Sequence, residues 1–189
     1  MRTLLTSILY TLITAVALGI GYPLAVTGLA HLLFPGQAAG SLIYRNGKLV
    51  GSRLIGQPFT GPGYFWSRPS AAGNGYDAAS SGGSNYAPTN ATLINRVNTS
   101  VQALKPAPGT GVPVDLVTAS GSGLDPDISP AAALYQVSRV AAERQVSEDF
   151  LGGLVASHTT PRQIGIFGEP RVNVLELNLA LDDLNGNGK

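Results

Sequence analysis

Few residues in this chain have the type and spacing for chemistry. Two histidines, His31 and His158, are the only imidazoles, and there is no cysteine. Neither histidine has a partner at metal-ligand spacing, so a histidine-based metal site is not expected. Without cysteine there are no disulfides and no thiolate ligands. A Ser-His-Asp hydrolase would have to use His158, since His31 lies in an uncharged apolar run, and no G-x-S-x-G elbow is present. His158 reads instead as a helix C-terminal cap. Asp125 and Asp127 with Ser129 suggest a cation loop, but Pro126 and Pro130 break the alternating ligation and no bidentate glutamate follows. A turn with aspartate as local acceptor is the better reading. Ser120-Gly121-Ser122-Gly123 ahead of a helix is a phosphate-loop candidate, because glycine N–H groups near a helix N-terminus bind anions. It lacks the lysine of a P-loop, and two aspartates at the helix start repel phosphate. The residues favour a structural turn and cap. From residue chemistry alone no active site assembles.

The element that positions everything else is the run Thr3–Phe34, which holds no Lys, Arg, Asp or Glu. At ~1.5 Å per residue this helix spans roughly 48 Å, against ~30 Å for a bilayer core. A signal peptide has an apolar region of only ~7–15 residues, so a retained transmembrane helix is expected. A long signal peptide cut near Ala38–Ala39 is the alternative, and a buried core helix is a poorer one. Arg2 is the only side-chain cation before the run, which places the short N-terminus in the cytoplasm and the remainder outside. Thr14, Ala17, Gly21, Ala25 and Gly28 recur at spacings of three and four, forming a small-residue stripe suited to a partner helix. Pro23 is expected to kink the helix, which neighbouring helices tolerate.

The organisation predicted is an anchor over residues 1–36 and one α+β domain over 37–189. Apart from Arg2, that remainder balances 11 basic against 11 acidic side chains, which argues against nucleic acid as a partner. Asn46-Gly47 between apolar runs predicts a type I′ hairpin, with Leu54–Phe59 continuing the sheet. Residues 60–88 are irregular but rich in aromatics, and are expected to fold against the domain or a partner. A helix is expected over Thr89–Leu104 with Leu93, Ile94, Val97, Val101 and Leu104 on one face, then a Pro/Gly linker over Lys105–Gly111. Val112–Ala119 reads as a strand. Ser129 caps a helix opening at Pro130 and running to Gln145, and Ser147 caps another to Ala156. Arg171–Leu177 reads as a strand entering a short helix, Asn178–Leu184, before a fraying tail.

Three blocks carry a resemblance. Tyr64–Ala71 (YFWSRPSA) with Tyr76–Asn85 is one, Val114–Ala133 is a second, and Gly168–Asp182 (GEPRVNVLELNLALD) is the third. Following a single N-terminal membrane helix, they make the chain closely similar to the KdpC family. That is the C subunit of the bacterial high-affinity potassium-transporting Kdp P-type ATPase. The resemblance implies an accessory, non-catalytic subunit in the cell membrane. It would assemble with a channel-like A subunit, an ATP-hydrolysing pump B subunit and a small F peptide. The family is described as needed for assembly and as a catalytic chaperone that raises the ATP affinity of the pump subunit, so ATP would be met through the complex. Its SGSG block, likened to the signature loop of ABC transporters, nominates Ser120, Gly121, Ser122, Gly123 and Gln136 for nucleotide. Arg68, Asp77, Asp125, Arg139, Glu169, Arg171 and Asn173 are polar members of the same blocks. Asp127 stands where many relatives carry histidine, and Tyr86 where leucine is frequent. The rival functions are an anchored nucleotide-binding regulator and a stand-alone anchored sensor.

Overall fold

The computed structural model describes residues 1–104 and 111–186. The expected Lys105–Gly111 linker, save Gly111, lies outside the described residues, as do the last three residues of the tail. The chain divides into two compact units, Met1–Val50 and Gly51–Lys189.

The first unit is built on one continuous helix, α1 (Arg2–Val16), a π-helical turn (Ala17–Gly21) and α2 (Tyr22–Leu33). It is long and apolar enough to cross a membrane, and none of it is buried. Directly before Pro23, where a kink is expected, the register widens into the π-helical turn. Proline offers no N–H, and the wider register before it relieves the clash of its ring with the preceding carbonyls. A short turn, α3 (Pro35–Ala38), leads into the hairpin of β1 (Leu42–Arg45) and β2 (Lys48–Ser52). Asn46 and Gly47 have φ of 51° and 74°, the two left-handed positions of the predicted I′ turn. Beyond it the sheet stops: Leu54–Phe59 is turn and coil, which corrects the expected extension.

The second unit is helices packed on a small sheet of order β3-β5-β4, with β3 (Asp127–Ile128), β4 (Thr159–Thr160) and β5 (Arg171–Asn173) antiparallel. Val172 pairs with both Ile128 and Thr159 and is fully buried. Strand alternation therefore turns its neighbours Arg171 and Asn173 to the other face. The core joins Phe65, Leu116, Val140, Leu151, Val155, Leu177 and Leu181 to that strand. Phe65 comes from the irregular stretch, Leu116 from the turn ahead of α5 (Pro130–Tyr135), and the others from α6 (Val137–Arg144), α7 (Glu148–Ser157) and α8 (Val174–Gly186).

Ser129 and Ser147 cap as expected, accepting from the N–H groups of Ala132 and Phe150 at 3.2 Å each. α6 ends on Gln145, whose φ of 57° is the left-handed stop usual at a helix C-terminus. Three expectations are corrected. Val112–Ala119 is no strand: Pro113 withholds a donor, and a tight 3-10 turn at Val114–Leu116 buries Leu116 instead. The helix expected from Pro130 breaks at Gln136. The strand at Arg171 lasts three residues, because the Asn173 side chain accepts from Glu176 N–H (3.1 Å) and starts α8 at Val174. α4 (Ala91–Leu104) forms with Asn90 accepting from Thr92 N–H at 2.8 Å, yet no residue in it is buried.

Candidate functional site

The recognisable blocks meet around the stretch Pro62–Gly83. Two buried amides hold its centre. Asn178, on α8, accepts from Phe65 N–H at 2.8 Å and donates to the Phe65 carbonyl at 2.9 Å. Gln136 does the same for the next residue, accepting from Trp66 N–H (2.7 Å) and donating to Trp66 O (3.2 Å). Gln136 also donates to Ala132 O and accepts from Arg139, at 3.2 and 2.7 Å. A primary amide has two donors and one two-lone-pair acceptor, so this side chain is fully engaged. The helix break at Gln136 is what turns it toward Trp66. Irregular backbone cannot bond itself, and these amides supply what a neighbouring strand would have given.

Arginines close the other side. Arg139 lies 3.8 Å from the Trp66 ring centroid and donates to the carbonyls of Pro62 and Tyr64. Burial alone lowers its guanidinium to about 10. With Trp66, Leu104, Tyr135 and Gln136 it lines a pocket of about 380 Å³. Arg144 bonds Gly63 O at 2.7 Å and Asp182 at 2.9 Å, and lies over Tyr64, whose hydroxyl donates to the same carboxylate.

The SGSG loop is laced to this stretch. Ser122 O accepts from Gly82 N–H (2.8 Å) and the Ser81 hydroxyl (3.0 Å), while Ser122 Oγ accepts from Leu124 N–H (3.1 Å). Ser120 and Ser122 hydroxyls lie 3.3 Å apart. Gly123 is required: its φ is +67°, a Cβ there would fall 2.6 Å from Ala72 N, and its carbonyl takes the Ser70 hydroxyl at 2.6 Å. Gly121 faces open space, and a Cβ on Gly83 would fall 3.1 Å from the Gly121 carbonyl. The next helix is capped by Ser129, so Ser120–Gly123 is separated from its N-terminus by Asp125 and Asp127.

Those aspartates belong to a mixed-charge cleft of about 450 Å³. Arg68, Asp115, Asp125, Asp127, Glu169 and Arg171 line it. Arg68 pairs with Asp125 at 3.1 Å, and its buried Nε has no hydrogen-bond partner among the described residues. Asp115 accepts from Ser129 N–H at 2.9 Å, tying the cleft to the start of α5. Arg171 pairs with Asp127 at 3.1 Å, and Asn173 donates to Asp127 at 3.2 Å and to Arg53 O at 3.0 Å. Burial, then the charge of Asp125, raises the Asp127 carboxyl above the usual range, over the opposing pull of Arg171 and Asn173. Four acids face two lining arginines and Arg162, which pairs with Glu169 at 2.5 Å, so the cleft keeps an acidic excess of one.

The structure thus brings Arg68, Asp125, Glu169 and Arg171 together, with Asn173 next to them on β5. Arg139 and Gln136 share the other pocket. Asp77 stands apart, capping the turn at Ala78–Ser80 by accepting from Ala79 N–H at 2.9 Å. Thr14, Ala17, Gly21, Ala25 and Gly28 lie on the N-terminal helix. Among the described residues no group of His, Asp or Glu is arranged to hold a metal ion. Sequence reasoning missed Asn178 and Asp115 as organisers, though both stand inside the recognised blocks. His158 closes α7, its Nδ1 2.9 Å from Leu154 O.

Comparison with known proteins agrees over nearly the whole chain. The model of the family described as KdpC, K+-transporting ATPase, c chain, matches residues 4–183. The "Potassium-transporting ATPase KdpC subunit" of Koribacter versatilis is 59% identical over 182 residues, covering 96% of this chain and 94% of that protein. The protein so named in Acidobacterium capsulatum is 60% identical over 185 residues, covering 98% and 100%. That of Methylobacterium nodulans is 55% identical over 197 aligned positions, covering 97% and 96%. With the family model matched over residues 4–183 and relatives 59% and 60% identical over nearly the full length of both chains, this chain belongs to the KdpC family of potassium-transporting ATPase subunits.

Proposed function

We propose that this chain is the membrane-anchored accessory subunit of an ATP-driven potassium uptake complex. Its partners are a channel-like A subunit, an ATP-hydrolysing B subunit and a small F peptide. The family match over residues 4–183 carries the reading. Catalysis resides in the pump subunit. The α+β domain lies outside the cytoplasm, over the entrance of the channel-like subunit, where it stabilises the assembly and shapes access for potassium. The electronegative cleft at Asp115, Asp125, Asp127 and Glu169 suits a surface met by cations.

Any influence on ATP affinity is indirect, through differential contact with two states of the complex. Gln136 has no free hydrogen-bonding capacity, and Ser122 is committed to Ser81, Gly82 and Leu124, which supports an indirect route over direct nucleotide binding by Ser120–Gly123. Purification of the tagged chain in mild detergent tests the reading: two larger membrane subunits are expected to co-purify. A chain that purifies alone overturns it. Trypsin added to intact spheroplasts is expected to digest the domain, and full protection overturns the outward placement.

A further inference from the structure

Around the π-helical turn the N-terminal helix has fewer backbone donors than acceptors. Tyr22 N–H donates to the Ala17 carbonyl, a five-residue step. The next residue, Pro23, has no N–H. Helix α2 then resumes the regular register. Leu24 N–H is the one donor left for three carbonyls, those of Leu18, Gly19 and Ile20, and two of them go without.

The helix's own side chains do not close the gap. A threonine or serine hydroxyl back-bonds to the carbonyl three or four residues earlier. Thr14 does this, reaching Tyr10 O at 2.8 Å and Thr11 O at 3.1 Å. The positions able to do it for Leu18 and Gly19 are Gly21, Tyr22 and Pro23, and none has a short hydroxyl. In hydrocarbon there is no solvent to replace the missing donor. A lone water is a poor substitute among Val16, Leu18, Ile20 and Leu24, since a buried water needs several polar partners. The approach is open: nothing stands within 4 Å of where a Cβ on Gly19 would be, and near Gly21 only the Val16 carbonyl, at 3.9 Å.

We infer that the Leu18 and Gly19 carbonyls accept hydrogen bonds from a hydroxyl or amide side chain on a transmembrane helix of a partner subunit. The inference rests on the membrane-subunit reading above and adds the partner's chemistry: a Ser, Thr, Asn or Gln at the depth of the π turn. The donor approaches over Gly19 and Gly21.

Selective labelling tests it in the intact chain. Carbonyl-13C leucine with 15N glycine marks only two Leu–Gly pairs, Leu18–Gly19 and Leu151–Gly152. Solid-state NMR is recorded in bilayers, on the chain alone and on the chain assembled with its membrane subunits. On assembly the Leu18 carbonyl resonance is expected to move downfield while that of Leu151 stays. A Leu18 resonance already downfield in the chain alone means that water is the donor and overturns the inference. Co-purification without any shift overturns it too, and leaves the subunit reading standing; failure to co-purify overturns both. Pro23→Ala restores the missing N–H at position 23 and lets the turn return to the regular register, in which Tyr22 N–H serves the Leu18 carbonyl and the new N–H serves that of Gly19. It is expected to reduce the assembly shift and to lower partner recovery by on the order of threefold, the size of one interhelical hydrogen bond. Recovery equal to wild type with the shift intact would show that the π turn is not the acceptor site.

Discussion

The stretch Pro62–Gly83 and helix α4 invert the usual relation between regularity and burial. The first has almost no repeating structure, yet contains Phe65 and Ala72, both with zero exposure. The second is a 14-residue helix in which nothing is buried and Ile94 is 47% exposed. The difference lies in where backbone groups find partners. A helix satisfies its own, so it can form with little tertiary support. The irregular stretch cannot, and is held by side chains from elsewhere: Asn178, Gln136, Arg139 and Arg144. Integration into the core follows from borrowed hydrogen bonds rather than from secondary structure.

The largest effect on this contrast is expected from Asn178→Ala. It orphans the buried N–H and carbonyl of Phe65, at ~1–3 kcal/mol each, so a loss of about 3 kcal/mol is expected. Denaturation of the full chain in detergent reads it through Trp66, the single tryptophan, which sits in the affected stretch. Gly123→Ala comes next, at about 2 kcal/mol, because its left-handed φ and the contact with Ala72 N leave no room for a methyl group. Asp127→Asn is expected to be small and to depend on pH. The carboxyl is raised in the folded state, so folding binds a proton more tightly than the unfolded chain does. Wild-type stability therefore falls as pH rises from the ordinary aspartate range through the folded value. The variant should lack that decline, and its advantage should shrink on acidification. Identical pH profiles would show that Arg171 and Asn173 compensate fully. Ile94→Ala closes the series, at under ~1 kcal/mol for a half-exposed side chain, measured by the same denaturation. If it cost as much as Asn178→Ala, the contrast between the two regions would fail.

Much of the fold was legible where local chemistry decides. Asn46-Gly47, Ser129, Ser147 and the alternation at Arg171–Asn173 needed only turn, cap and strand rules. Pattern misled where a side chain from afar intervened. Val112–Ala119 has the β-branched composition of a strand, but Pro113 and the bond from Ser129 N–H to Asp115 make it a turn. Pro130–Gln145 reads as one helix, and Gln136 breaks it to reach Trp66, seventy residues earlier. The site was legible as blocks, through resemblance, while its geometry was not. Whether a glutamine meets a ligand or a backbone depends on the fold around it, and spacing carries no such information. The nucleotide assignment of Gln136 and the Ser120–Gly123 loop came from family likeness; the contacts found are internal.

The strand order has a consequence for how the chain is made. β5 lies between β3 and β4 although both precede it, and Phe65 waits for Asn178, 113 residues downstream. During vectorial synthesis neither edge strand has a neighbour, and the aromatic stretch has no anchor, until β5 and α8 emerge. Such high contact order slows folding and leaves apolar surface transiently open to aggregation and proteases. Completion is thus coupled to delivery of the third block, and a chain interrupted before it would be discarded rather than assembled.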